Sequence, residues 1–377
     1  MNFYSGLQGK QLKKGKKVQM INRFKGLGFV LTCSLLLIVG FGQAESVAQT
    51  TIKMDNAAIL YSPFNWAVIS HNAKTINSGA YFKVFFSGTS CRLMTNTSAD
   101  IEPFPQINVR IDGGSFTRYT LAPDNPTITV ASERNNHKHL LEVIVKSTSG
   151  HVDRWAKQQN GVTFTGLQFD SGTTVTAPVR KPFNVLIYGD SITEGGVVYT
   201  TLQDTDNNDA TGDYAWMLSQ VLPIEIGVIG FSATGITKSG SGGVPSLSTS
   251  YQFLWAGQPR SFSNPTPDLI IYNEGTNDQE DITATLTTIV KAHKTLVPKA
   301  KQLLLRPFNG AHASEIKAVA AADKTGNVTY GDTIGFLNPS TDTSDGKHPW
   351  SSVHVGVLAP RLIKLVMPLL PAGELMK

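Results

Sequence analysis

The stretch Phe183-Asn184-Val185-Leu186-Ile187-Tyr188-Gly189-Asp190-Ser191-Ile192-Thr193 decides the fold. Its first part is a compact apolar run with no strict alternation, which reads as a strand buried on both faces. Downstream, Tyr214 to Leu222 has helical spacing, Ile224 to Ile229 and Leu269 to Tyr272 read as strands, and Ile282 to Leu296 reads as a helix. Gln302 to Leu305 (strand), His312 to Ala322 (helix), Val328 to Tyr330 (strand) and Val353 to Val366 (closing helix) continue the alternation. Strands alternating with helices predict a three-layer α/β unit with a parallel sheet covered on both faces, over residues 183–371.

Upstream the grammar differs. Residues 51–178 read as all-β. Tyr81, Val84 and Phe86 lie in a strand rich in aromatic and β-branched residues. Ile107 to Ile111 alternates with period two, Asp112-Gly113-Gly114 signals a turn, and Phe116 to Leu121 resumes the alternation, which predicts a hairpin. Leu140 to Val145 and Val162 to Phe169 are further strands. Short strands at this spacing predict a β-sandwich or jelly roll. Thr173 to Pro182, with Pro178 and Pro182, reads as the linker between two domains.

In a parallel α/β sheet, ligands bind beyond the carboxyl ends of the strands, so the residues there are read for chemistry first. Gly189-Asp190-Ser191 follows the first strand. A serine at that turn can expose its hydroxyl beside backbone amides, but it needs a base to become a nucleophile. Asn273-Glu274-Gly275-Thr276-Asn277-Asp278 follows the third strand and offers an amide to a developing oxyanion. Asp345-Gly346-Lys347-His348-Pro349 lies near the C-terminus, and its spacing on a tight turn lets the carboxylate reach one imidazole nitrogen while the other faces the serine.

These motifs, in this order, resemble the SGNH (GDSL-type) hydrolases. Gly189-Asp190-Ser191, Gly275-Thr276-Asn277-Asp278 and Asp345-Gly346-Lys347-His348 match the family's G-D-S, G-x-N-D and D-x-x-H. The resemblance covers about residues 183–370. It implies Ser191 as nucleophile, His348 as general base, Asp345 as its orienting partner, and an oxyanion hole from the Ser191 amide and the Asn277 side chain. The family's remaining motif is a glycine after the second strand. Here Gly230-Phe231-Ser232-Ala233-Thr234-Gly235 stands in that region, and alignment puts Ala233 at the glycine position, with Gly230 and Gly235 as the shifted alternatives. A β-rich unit ahead of such a domain is similar to carbohydrate esterase family two, acetyl xylan esterases included. That resemblance extends to His139–Val143 and Phe164–Leu167 as the end of their sandwich domain. It implies removal of acetyl groups from a plant-polysaccharide glycan.

The remaining candidates carry less. Trp350 could stack on a sugar or simply pack, and Glu274 could touch substrate or be structural. Trp216 and Trp255 read as core, His354 as a packing or capping residue, and Asp342 as a loop residue. Asp190 and Asp278 read as carboxylates that hold loops by backbone hydrogen bonds. The acidic run Asp204 to Asp209 lacks the glycine and terminal glutamate of an EF-hand and reads as a solvated loop. No His/Cys cluster has zinc spacing, and acyl transfer by a serine triad needs neither metal nor organic cofactor, so none is expected.

The 377-residue chain has a net charge of +5, and the excess is local: residues 1–48 hold seven Lys/Arg and one acid. Elsewhere acids and bases nearly balance, with no basic run interleaved with aromatics, which argues against a nucleic-acid partner. Residues 1–48 read as an export signal: a basic segment, an apolar stretch Leu27 to Phe41, and small-x-small sites at Gly42-Gln43-Ala44 and Ser46-Val47-Ala48. Met20 is an alternative start. The apolar stretch is shorter than the ~20 residues of a stable membrane span. A periplasmic or extracellular destination is therefore expected. Cys91, the cysteine left after cleavage, reads as a buried residue in a strand. The rival readings are a lipid or polyester hydrolase with the same triad, and a non-catalytic glycan-binding surface protein.

Overall fold

The computed structural model describes residues 49–132, 134–202 and 204–371; the expected signal segment lies outside them. Five strands form an all-parallel sheet: Phe183–Gly189, Ile224–Gly230, Leu269–Asn273, Lys301–Leu305 and Val328–Gly331, called here the first to fifth parallel strands. Their spatial order is second, first, third, fourth, fifth. Successive side chains of the first strand point to opposite faces. Leu186 and Tyr188 enter one apolar cluster, while Val185 and Ile187 enter another. Both faces are therefore buried, which is why the run shows no alternation in sequence.

Helix Tyr214–Val221 begins at Asp213, whose carboxylate accepts the Ala215 and Trp216 amides. Helices Thr283–Leu296 and Ala313–Ala322 start within a residue of the positions predicted from spacing. The closing helix differs from its prediction. It begins at Ser351 and passes through a π-helical turn, His354–Leu358, before α-helix Ala359–Val366. Pro360, at the start of that last stretch, has no N–H to return to the preceding turn. By length and composition Ser351–Leu369 is apolar enough to cross a membrane, yet its Leu358, Leu362 and Val366 belong to the core beside the sheet.

The segment before the linker forms two six-stranded sheets. In the first, Val162–Asp170 pairs with Asn72–Thr75, Cys91–Thr95 and Gln49–Ile52, all antiparallel. In the second, Lys138–Ser147 lies between Tyr81–Ser87 and Gln106–Ile111, again antiparallel. The expected hairpin pairs Gln106–Ile111 with Thr117–Thr120. Its turn residues Asp112 and Gly113 have φ of 54° and 70°, the left-handed pair that a tight hairpin demands. Phe82, Val84 and Val143 of one sheet meet Leu93, Phe164 and Leu167 of the other in a shared core that also buries Cys91.

The described residues all belong to one compact unit. Phe64, Ile76 and Trp155 join one cluster beside the parallel sheet, and Tyr81 and Ile144 join the other. Outward-facing backbone groups of the second parallel strand, which lies at the sheet edge, are met by side chains: the Ile226 N–H donates to the Tyr81 hydroxyl at 3.3 Å, and the Asn65 amide donates to the Val228 carbonyl at 3.4 Å. The acidic run 204–209 is not the freely solvated loop expected. Its backbone carbonyls at Thr205, Asp206 and Asn208 accept from the Lys146 ammonium at 2.6, 3.1 and 2.6 Å. A buried ammonium needs several acceptors, and this loop supplies them.

Candidate active site

Three loops meet at one end of the parallel sheet because their strands end level. Gly189 sits opposite Gly230 on one side and Asn273 on the other. Ser191, Ala233 and Asn277 therefore follow the carboxyl ends of three adjacent strands. The turn at Ser191 is tight. Asp190 accepts the Ile192 amide at 2.8 Å through its side chain and the Glu194 amide at 3.0 Å through its backbone. Gly189 must be glycine here, since a Cβ would fall 2.0 Å from the Thr193 hydroxyl.

Ser191 and His348 are 4% and 7% exposed, and Ser191 Oγ lies 2.8 Å from His348 Nε2. His348 Nδ1 lies 2.7 Å from Asp345 Oδ2. An ionised carboxylate can only accept, so Nδ1 carries the hydrogen and Nε2 presents its lone pair to the serine hydroxyl. The other Asp345 oxygen accepts the His348 and Lys347 amides at 2.8 and 3.0 Å, closing the turn that the spacing predicted. Burial pushes the Asp345 carboxyl up, but hydrogen bonds from the His348 amide and imidazole outweigh it, leaving the group below its ordinary value. The rival His354 is fully buried, stacks on Tyr214, and accepts the Tyr214 amide at Nδ1. Asp342 accepts the Trp350 amide through its backbone, a loop role.

Ala233 has φ of 63°, the left-handed conformation in which glycine is at ease and alanine is strained. The two alternative glycines have other reasons to be there. A Cβ on Gly235 would fall 2.3 Å from the Asp278 carboxylate, and one on Gly230 would fall 2.7 Å from the Glu194 amide nitrogen. Asp278 accepts the Ile236, Thr237 and Lys238 amides, so it fixes the loop after Ala233. Asn277 is half-buried and donates one side-chain N–H to the Thr234 carbonyl at 2.9 Å. The loops after the second and third strands are thus tied to each other.

Trp350 is half-buried and immediately precedes helix Ser351–Val353. Glu274 is only 3% exposed, and burial, reinforced by the Asp190 and Asp278 charges, pushes its carboxyl well above the ordinary range. Its Oε1 accepts the Thr234 hydroxyl at 3.4 Å, one residue after Ala233. Trp216 is buried, whereas Trp255 is half-buried with Lys74 over its ring. Among the described residues, no group of three or more His, Cys, Asp or Glu side chains is placed to hold a metal ion.

Sequence reasoning passed over Arg154, Glu194 and Ser232. Arg154 and Glu194 form an ion pair at 0% and 1% side-chain exposure, and the Ser232 hydroxyl donates to Glu194 at 2.7 Å. The available signal was position alone: Glu194 lies three residues after Ser191, and Ser232 directly before Ala233.

No family model matches the chain. It is 24% identical over 255 residues to the cellulase/esterase CelE of Acetivibrio thermocellus, a match covering 66% of this chain and 30% of that protein. The chain thus spans under a third of the length of that relative. A family two carbohydrate esterase from Cellvibrio japonicus superposes with a TM-score of 0.72 at 21% identity, covering 85% of this chain and 98% of the other. An acetyl xylan esterase from the rumen bacterium Butyrivibrio proteoclasticus does so with 0.68 at 15% identity, covering 85% and 98%. Antiparallel sheets, parallel sheet and the loops at its carboxyl edge together give this chain the fold of the family two carbohydrate esterases, with an SGNH-type parallel sheet as its α/β part.

Proposed function

We propose that the chain is an exported carbohydrate esterase that removes acetyl groups from a polysaccharide through a Ser191–His348–Asp345 acyl-enzyme mechanism. The observation that carries this reading is the unbroken relay from Ser191 Oγ through His348 to Asp345, at 2.8 and 2.7 Å, at the carboxyl edge of a parallel sheet. The fold shared with family two carbohydrate esterases supports a sugar ester as substrate. The basic and apolar character of residues 1–48 supports export. In this reading residues 51–178 are a jelly-roll domain that shapes the rim of the site.

His348 Nε2 takes the serine proton as Oγ attacks the ester carbonyl. The carbon–oxygen bond to the sugar breaks, and the sugar oxygen leaves with that proton. Water then attacks the acetyl-serine, giving a proton to His348; the acyl carbon–Oγ bond breaks, His348 returns that proton to Ser191 Oγ, and acetate departs. Asp345 keeps Nδ1 protonated and stabilises the imidazolium. The oxyanion is assigned to the Ser191 and Ala233 amides and to the second N–H of Asn277, whose first N–H is engaged. The positive φ at Ala233 turns this peptide out of the path that a continuing strand would take.

Hydrolysis of 4-nitrophenyl acetate, compared with the octanoate ester in wild type and Ser191→Ala, tests the reading. Acetate-selective turnover lost in the variant is the expected result, followed by acetate release from acetylated xylan. Preference for octanoate would favour a lipid or polyester hydrolase, and a folded but inactive wild type would favour a glycan-binding protein.

A further inference from the structure

Arg154 is fully buried, and its charge sits where nothing in the triad uses it. Its guanidinium pairs with Glu194 through its two terminal nitrogens, Nη2 to Oε2 at 3.5 Å and Nη1 to Oε1 at a shorter distance. It also donates to the Thr148 hydroxyl at 2.9 Å, and that hydroxyl in turn donates to the Ile76 carbonyl at 3.2 Å. Its Cζ lies 4.9 Å over the Phe231 ring. Its backbone N–H donates to the Gly242 carbonyl at 3.1 Å, and Gly242 leaves the stem its room: a Cβ there would fall 2.9 Å from Arg154 Cγ. Arg154 itself lies in the connection between strands Lys138–Ser147 and Val162–Asp170 of the antiparallel segment, and its guanidinium reaches Glu194, three residues after Ser191.

Glu194 is where the active-site loops converge. It follows Ser191 by three residues, and its amide closes the Asp190 turn. Its second oxygen accepts the Ser232 hydroxyl at 2.7 Å, one residue before Ala233. Ser232 is held as well through its carbonyl, which accepts the Ser241 amide at 2.8 Å. A buried ion pair gains little net stability, because desolvation offsets the attraction, and an apolar pair of similar volume often serves as well. Stability alone therefore gives little reason for this pair, and its geometry supplies another.

We infer that Arg154 is a positioning residue for the esterase reaction: through Glu194 and Ser232 it fixes the distance between the Ser191 turn and the Ala233 oxyanion loop. This rests on the esterase reading above and adds a role for the antiparallel segment, which supplies the clamp. A clamp of this kind acts on the reacting geometry and leaves ground-state binding alone, so its loss lowers kcat with little change in KM.

The experiment uses the full chain with Arg154→Met/Glu194→Met, which removes both charges while keeping the volume, and Ser232→Ala, which leaves the ion pair in place. Melting temperature, kcat and KM on 4-nitrophenyl acetate, and the rate of Ser191 labelling by paraoxon are measured. The double variant is expected to melt near wild type, keep its KM, and lose roughly tenfold to a hundredfold in kcat and in labelling rate. Ser232→Ala is expected to lose a smaller factor, about threefold, with KM again unchanged. If the double variant does not fold, Ser232→Ala alone decides. A folded variant set with wild-type kcat overturns the positioning role while the esterase reading stands. A wild type that turns over no ester, or one whose turnover survives Ser191→Ala, takes both down.

Discussion

Replacing Asp345 by asparagine should damage the enzyme more than replacing it by alanine, and the reason lies in three hydrogen bonds. Asp345 Oδ1 accepts the His348 and Lys347 amides, while Oδ2 accepts His348 Nδ1. In Asp345→Asn the amide oxygen stays with the two backbone N–H groups, because turning the NH2 toward them sets donor against donor. The NH2 then faces Nδ1, and the imidazole must move its hydrogen to Nε2, where it confronts Ser191 with no lone pair. Escaping that state leaves two backbone donors without the oxygen; the part-buried His348 amide costs about 1–3 kcal/mol, and the exposed Lys347 amide, which water can reach, costs less. Roughly 3 kcal/mol leaves the productive tautomer at about one part in 10². Losing the carboxylate charge would add about another tenfold in a fully buried site. The Asp345 side chain is 35% exposed, however, so water tempers that second loss. A drop in kcat of roughly 10² to 10³ is therefore expected for Asp345→Asn, and less than about 10² for Asp345→Ala, where water can fill the gap and serve either tautomer. The assay is kcat on 4-nitrophenyl acetate at neutral pH, with melting temperatures to confirm folding. Asp345→Asn at least as active as Asp345→Ala would refute the tautomer argument and the role given to Asp345.

Other outcomes follow from other parts of the molecule. His293 is buried among Tyr188, Tyr251, Tyr272 and Phe262, and burial lowers its pKa to about 4. The folded state then refuses a proton that the unfolded chain accepts, so stability relative to His293→Phe should fall as pH drops from about 6.5 and level off below about 4, by about 3 kcal/mol in all. Chemical denaturation of both proteins across that range checks this, and parallel pH curves would contradict it. Gly227→Ala should cost about 3 kcal/mol, since its Cβ would meet the Pro63 carbonyl oxygen at 2.0 Å; a midpoint within experimental error of wild type would show that this contact yields freely. Ala233→Gly should relieve left-handed strain and, after the entropy glycine adds to the unfolded chain, raise stability by up to about 1 kcal/mol with kcat retained; a fall in melting temperature would argue that the strain is not felt.

Much of the α/β half can be read from the chain because its signals are local. Ile224–Gly230 and Leu269–Asn273 are short apolar runs that end in turn residues, and Asp345 and His348 need only one tight turn to meet. The antiparallel half is less legible. Gln49–Ile52, Ala67–Ile69 and Asn72–Thr75 are too short and too mixed to stand out; the first and last become strands by pairing with Val162–Asp170, far along the chain, and Ala67–Ile69 then adds to Asn72–Thr75 as a local edge hairpin. The acidic run 204–209 looks like free loop until Lys146, nearly sixty residues earlier, is placed beneath it. Arg154 escapes for the same reason. An arginine in a polar stretch reads as surface, and only the docking of two segments shows that it is interior. What sequence withholds here is long-range pairing between groups of ordinary type.

The side chains that meet the second parallel strand have a consequence for how this protein can be handled. Tyr81 and Asn65 stand where a sixth strand would otherwise bring its backbone, so the α/β half finishes its own sheet with borrowed groups. Cut at residues 173–182, that half would bare a ladder of unpaired amides and carbonyls, a ready template for another copy of itself. The linker looks like a natural seam for module swapping. The physics of the edge makes it a poor one, and a chimera that exchanges the front half should carry over the segment from Ser62 to Tyr81 with the hydrolase part.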